Sequence, residues 1–152
     1  MDTHQINSLL LKVLPPEVFL GVHSADALPE PTHQRPFCFV SNTHCKHYPG
    51  EHWTAFYADE HGGGHYFDSF GYKPPHPEWI TYLQKHSPLG VDYFPHRIQP
   101  YTSQTCGHFC IFYLANRYKY NVLQCNDNTL MRNVNDAIVQ RYVKKLRKKK
   151  NK

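Results

Sequence analysis

Residues 52–71 read His52-Trp53-Thr54-Ala55-Phe56-Tyr57-Ala58-Asp59-Glu60-His61-Gly62-Gly63-Gly64-His65-Tyr66-Phe67-Asp68-Ser69-Phe70-Gly71. The first seven residues are rich in aromatics and predict a β-strand over 52–58, because such side chains suit a packed, pleated surface. Three consecutive glycines within 59–64 predict a hairpin connection. His65 to Asp68 is the expected return strand, and Ser69-Phe70-Gly71 leaves it. An antiparallel pair joined in this way sets the start of one strand beside the end of the other. His52 and Asp68 therefore fall at the same edge of a sheet, a conclusion that needs only the hairpin.

Upstream, Phe37 to Ser41 reads as a buried strand ending in Asn42-Thr43. A loop follows over 44–50, with a turn at Pro49-Gly50. Residues 24–36 form a Pro-rich loop, and Val18 to Gly21 a small apolar patch. Ile6, Leu9, Leu10, Val13 and Leu14 recur at helical spacing, so a helix is expected over 2–14, stopped by Pro15-Pro16. Downstream, a helix is expected over 77–86 with Trp79, Ile80 and Leu83 inward. Val91 to Phe94 and Ile98 are short strand candidates. A last helix is expected over about 129–146, with Leu130, Val134, Ala137, Ile138, Tyr142 and Val143 on one face.

The second informative stretch is Gln99-Pro100-Tyr101-Thr102-Ser103-Gln104-Thr105-Cys106-Gly107-His108-Phe109-Cys110. A polar turn runs here into an apolar helix, 107–120, with Cys106 at the junction. Unpaired N–H groups and the positive end of the helix dipole favour a thiolate at such a place. The thiolate is the form that attacks carbonyl carbon. Gln99 can turn amide N–H groups toward the same spot, as an oxyanion hole requires. The ordinary reading of an isolated cysteine is an inert core residue. A base and an orienting group are needed to displace that reading. His52 and Asp68 supply them, so the expected catalytic set is His52, Asp68, Cys106 and Gln99.

The chain of 152 residues suits one domain over 1–152 with a single core. Its net charge of +5 is concentrated at one end, since Arg141, Lys144, Lys145, Arg147, Lys148, Lys149, Lys150 and Lys152 all lie in the last twelve residues. This basic tail, about 141–152, is read as a contact for nucleic acid, a nuclear-import signal or a solvated terminus. The five cysteines, an odd number, argue against a secreted disulfide scaffold. Asp2 and His4 stand where a secretory leader would be basic, and no apolar run approaches the roughly 20 residues a membrane span needs. The expectation is an intracellular, unsecreted monomer without membrane contact.

Several segments resemble the adenovirus maturation protease (adenain) family of cysteine endopeptidases: Phe19-Leu20-Gly21, Val40 to Thr43, Gly50 to Phe56, Phe67 to Gly71, and Gln99 with Thr105 to Cys110. The resemblance covers residues 18 to about 114. It implies an α+β fold with a central mixed β-sheet and flanking helices, the cysteine-protease fold shared with ubiquitin-like-modifier proteases. It implies His52 as general base, Asp68 as orienting carboxylate, Cys106 as nucleophile and Gln99 as oxyanion donor. That family usually has Glu where Asp68 stands, a longer carboxylate in the same role. It also implies cleavage of viral capsid and core precursors at Gly-containing motifs, in the virion and host nucleus. No cofactor is expected, although the family implies activation by a peptide and by DNA, with non-specific DNA contact through the basic tail. The family's activating peptide is tethered to a cysteine upstream of the glutamine, and residues 87–98 contain none.

Three other readings compete. A protease acting on ubiquitin-like modifiers would share the same residues. A non-catalytic module for peptides or nucleic acid would keep the fold alone. Zinc could be held by Cys38, His44, Cys45, His47 and His52, or by Cys106, His108 and Cys110; Cys106-x₃-Cys110 fits a zinc pair loosely, but both residues would lie on a strongly apolar helix and the knuckle spacing is absent.

Overall fold

The computed structural model describes residues 1–31, 34–44, 52–120 and 127–150. Helix α1 (Thr3–Leu10) starts at Asp2, whose carboxylate accepts from the Gln5 N–H while the Gln5 side chain accepts from the Asp2 N–H. This reciprocal cap satisfies donors that a helix start leaves unpaired. Strands β1 (Phe19–His23), β2 (Phe37–Asn42), β3 (Trp53–Ala58) and β4 (Gly64–Phe67) follow. Helix α2 (Pro77–Lys85) crosses to β5 (Val91–Tyr93), and α3 (Cys106–Tyr120), α4 (Asp127–Met131) and α5 (Asp136–Lys148) complete the chain.

The sheet runs β1-β2-β3-β4-β5. The β2–β3 and β3–β4 pairs are antiparallel, whereas β1–β2 and β4–β5 are parallel. The sheet is therefore mixed, and both its faces are covered. Cys38, Val40, Ala55, Tyr57 and Phe67 face a core shared with Ile6, Leu10, Phe109, Tyr113, Val139, Val143 and Leu146 of the helices. The alternate residues Phe37, Phe39, Phe56, Ala58 and Tyr66 face a second core with Trp79 and Leu83 of α2. This is the period-two alternation of a strand sandwiched between two apolar layers. It explains why all six residues of β2 are buried.

The hairpin is as expected. The Asp59 carboxylate accepts from the His61 and Gly63 N–H groups at 2.9 Å each, which closes the turn. Gly62 holds φ +104°, and a Cβ on Gly63 would collide with that carboxylate, so the glycines are required by shape.

Four expectations need correction. Residues 19–21 of the apolar patch belong to a strand, β1, whose parallel pairing with β2 supplies hydrogen bonds that no local pattern announces. Ile98 is in no strand, although its N–H donates to Ser69 O. Ile80 is exposed, and only Trp79 and Leu83 of α2 are buried. The helix expected over 129–146 is two helices, because the Asn135 side chain caps the Ile138 N–H and starts α5 afresh. The inward stripe of α5 is Val139, Val143 and Leu146, and Ala137 is exposed. The basic segment is helical up to Lys148, with the Lys12 ammonium donating to the carbonyls of Leu146, Arg147 and Lys149 at the helix C-terminus.

Candidate active site

Helix α3 packs along β3 and is flanked by α1, α4 and α5. Its first residue is Cys106. Gly107 suits this placement: a Cβ there would meet Ile6 Cδ1, Met1 Sδ and Trp53 Cδ1 at 3.3–3.4 Å, so these side chains pack tightly on the helix start and would have to give by a few tenths of an ångström to admit one. Thr105, just before the helix, donates from Oγ1 to Asp136 Oδ1 at 2.6 Å and so ties the start of α3 to the start of α5.

The β3–β4 register pairs Ala55 with Phe67 and Phe56 with Tyr66. Continued past the ladder, it sets His52 opposite Phe70, with Asp68 between them and the sheet. The imidazole Nε2 donates to Asp68 Oδ1 at 2.8 Å. The same carboxylate oxygen accepts from the Phe70 N–H at 2.8 Å. Phe70 lies flat against the imidazole, with ring centroids 4.8 Å apart and planes 23° from parallel. Tyr101 stacks in turn on Phe70 at 5.5 Å, and the Arg97 guanidinium covers Tyr101 at 4.3 Å. The His52 ring is thus fixed in both position and plane.

His52 is also hydrogen-bonded to Cys106. With Nε2 taken by the carboxylate, Nδ1 is the nitrogen left for the thiol. Burial on its own would lower the pKa of His52, but the hydrogen bonds to Asp68 and Cys106 outweigh it and push the imidazole up to about 9. Burial on its own would raise Cys106, but the hydrogen bond with His52 and those from the backbone N–H groups of Trp53 and Gly107 hold the thiol below its ordinary value. The two directions agree: together they favour a thiolate–imidazolium pair. One turn along α3, the fully buried Cys110 is driven the other way, well above the ordinary thiol range, and burial pushes Cys38 up as well.

Gln99 is 1% exposed. Its amide carbonyl accepts from Ser69 Oγ at 2.5 Å, and its Nε2 donates to Ser103 O at 2.9 Å. His52, Asp68 and Cys106 thus come together at the end of the β3–β4 hairpin and the start of α3, and Gln99 is joined to the same turn through Ser69. Sequence reasoning did not single out Ser69, Phe70, Ser103 or the Trp53 N–H. The register of the hairpin, extended three residues past Ala55–Phe67, sets Phe70 opposite His52. The Ser69–Gln99 contact joins residues thirty positions apart and leaves no local signal.

Of the residues weighed for zinc, Cys45 and His47 lie outside the described residues. Among the described residues, no three His, Cys, Asp or Glu side chains are grouped closely enough to hold a metal ion. No described helix is long and apolar enough to cross a membrane.

No family model matches the chain, and no curated protein matches it. Solved structures do. The chain is similar to the ASFV pS273R protease at TM-score 0.55 and 23% identity, over 74% of this chain and 45% of that one. The chain therefore spans under half the length of that protease. It is also similar to the central domain of the Lpg1148 protein from Legionella pneumophila at TM-score 0.54 and 12% identity, over 96% of this chain and 98% of that domain. The α+β fold with a central mixed sheet and flanking helices is thus shared with a known protease.

Proposed function

We propose that this chain is a cysteine endopeptidase. The observation that carries the reading is one unbroken line of contacts, Asp68 to His52 to Cys106, ending at the first residue of a helix. In the reaction, the Cys106 thiolate bonds to the carbonyl carbon of the scissile amide, and the carbonyl π pair moves to oxygen. That oxyanion takes an N–H of Gln99; a primary amide has two, and Ser103 O uses one. When the tetrahedral adduct collapses, the C–N bond breaks and the leaving amine takes the proton from imidazolium His52. The neutral imidazole then removes a proton from water, the hydroxide attacks the thioester, and the thiolate departs. Asp68 keeps the imidazole turned toward the thiol throughout.

The test is alkylation with iodoacetamide at neutral pH, followed by peptide mapping. Cys106 should react well ahead of Cys38 and Cys110, and His52→Ala should slow it by removing the partner that stabilises the thiolate. Labelling of Cys106 no faster than of Cys110 would overturn the reading.

The resemblance to adenain supports, as proposed substrates, structural precursor proteins cut at Gly-containing motifs, in a virion or host nucleus. It also supports DNA as a proposed partner and, with a peptide, as a proposed activator. The exposed side chains of Lys144, Lys145, Arg147 and Lys148 on α5 favour the DNA contact. Removal of the segment after Tyr142 would also delete Val143 and Leu146 from the core. The clean test is therefore to change these four residues together to Gln and titrate fluorescent duplex DNA. The slope of log affinity against log salt should fall by about 3 to 4, near 0.9 for each lost phosphate contact, while peptide cleavage persists. An unchanged slope would assign the charges to solubility and to the helix dipole.

A further inference from the structure

Ser69 follows the carboxylate that holds the imidazole, and it is wholly buried. It reaches the Gln99 segment three times. Its backbone carbonyl accepts from the Ile98 N–H at 2.9 Å and from the Gln99 N–H at 3.1 Å. Its hydroxyl donates to Gln99 Oε1 at 2.5 Å. The hydroxyl contact has a chemical consequence that the backbone contacts lack. A primary amide can rotate by half a turn and exchange its oxygen for its NH₂ at almost no steric cost. With the carbonyl end occupied by a buried O–H donor and the NH₂ end by Ser103 O, only one orientation satisfies both ends. The flipped amide would set its NH₂ against the serine and aim a carbonyl oxygen at Ser103 O, acceptor against acceptor.

We infer that Ser69 is a positioning residue for catalysis, whose hydroxyl locks the Gln99 amide in the orientation that offers N–H to the oxyanion. This rests on the protease reading and deepens it. Ser69 does not touch the reacting atoms. It acts through Gln99, and the same turn carries Asp68, so one segment, 68–70, fixes both the base and the oxyanion donor.

The inference predicts a particular pattern in a kinetic cycle on a fluorogenic peptide ending in Gly-Gly. Ser69→Ala should lower kcat about 10-fold, on the scale of one neutral buried hydrogen bond, with KM nearly unchanged. Gln99→Ala should lower kcat by about 10² to 10³. The double variant should be no slower than Gln99→Ala alone, because the hydroxyl has nothing left to orient. Ser69→Cys, similar in shape with a weak S–H donor, should fall between Ser69→Ala and the parent chain. Far-UV dichroism and melting temperature check that each variant folds. Wild-type kcat in Ser69→Ala, or a further 10-fold loss in the double variant, would overturn the inference while leaving the protease reading in place. Equal rates for the parent chain and Cys106→Ala would overturn the protease reading, and this inference with it.

Discussion

Cys106→Ala should abolish peptide cleavage and leave the fold intact. The thiol lies at the end of α3 and at the edge of the core, whereas the packing of that helix is carried by Phe109, Ile111, Tyr113 and Leu114, all fully buried. Loss of one sulfur at the rim removes little apolar contact, but it deletes the atom proposed to form the thioester. Cys110→Ala is the matched control. It sits one helical turn further on, is fully buried, and has its pKa raised, so it is a poor nucleophile. Its removal should leave most of the activity and instead cost some stability, through the small cavity it opens. Comparison of the two variants by cleavage rate and melting temperature separates chemistry from packing. Activity in Cys106→Ala, or equal loss of activity in both, would remove Cys106 from the mechanism.

His52→Ala should be about as damaging as the loss of Cys106, on the order of 10⁴-fold or more in kcat, because members of such a unit act together and not additively. The imidazole does two jobs. In the proposed mechanism it stabilises the thiolate as imidazolium, then protonates the leaving amine, and as neutral base activates water. Asp68→Asn should cost less than His52→Ala, since the amide keeps a hydrogen-bonding group against Nε2 while losing the charge that favours imidazolium. The pH profile carries the same signature. The pair forms on the acid side when Cys106 loses its proton, which the site brings below the ordinary thiol value. It is lost on the basic side when His52 deprotonates, at about 9. Activity should rise from acid toward neutral pH and decline through about pH 9. In Asp68→Asn the basic limb should move to lower pH, because a group that raises the imidazole pKa has been removed. An unmoved limb would assign it to some other group.

The two lines of contact at the site differ in how far they could be foreseen. His52 and Asp68 are joined by a short hairpin with a three-glycine turn, and a hairpin fixes its own register once the turn is set. Their adjacency was therefore legible, and Nε2 lies 2.8 Å from Oδ1 as that geometry requires. Cys106 at the head of an apolar helix was legible for the same kind of reason, because the change from polar turn to apolar helix is local. The strand at 19–23 was not: its pairing with β2 crosses a Pro-rich loop, and parallel ladders leave no mark in a short apolar run. The break before α5 was missed because apolar residues continue across it, while the Asn135 cap that restarts the helix depends on backbone geometry.

By itself, then, the sequence determined the elements that local rules govern: the hairpin, the apolar helix headed by Cys106, the chemical types of His52, Asp68, Cys106 and Gln99, and the clustering of positive charge near one end. Tertiary structure alone decided what those types do to one another. Cys106 and Cys110 share a helix and a residue type, yet one thiol is lowered and the other raised, because only Cys106 meets His52 and the N–H groups of Trp53 and Gly107. The Gln99 amide is oriented by Ser69 and Ser103, and the His52 ring is held flat by Phe70. The physical reason is range. Helix and turn formation depend on contacts within a few residues, whereas burial, charge pairing and hydrogen-bond direction depend on which distant segments the packed core brings together.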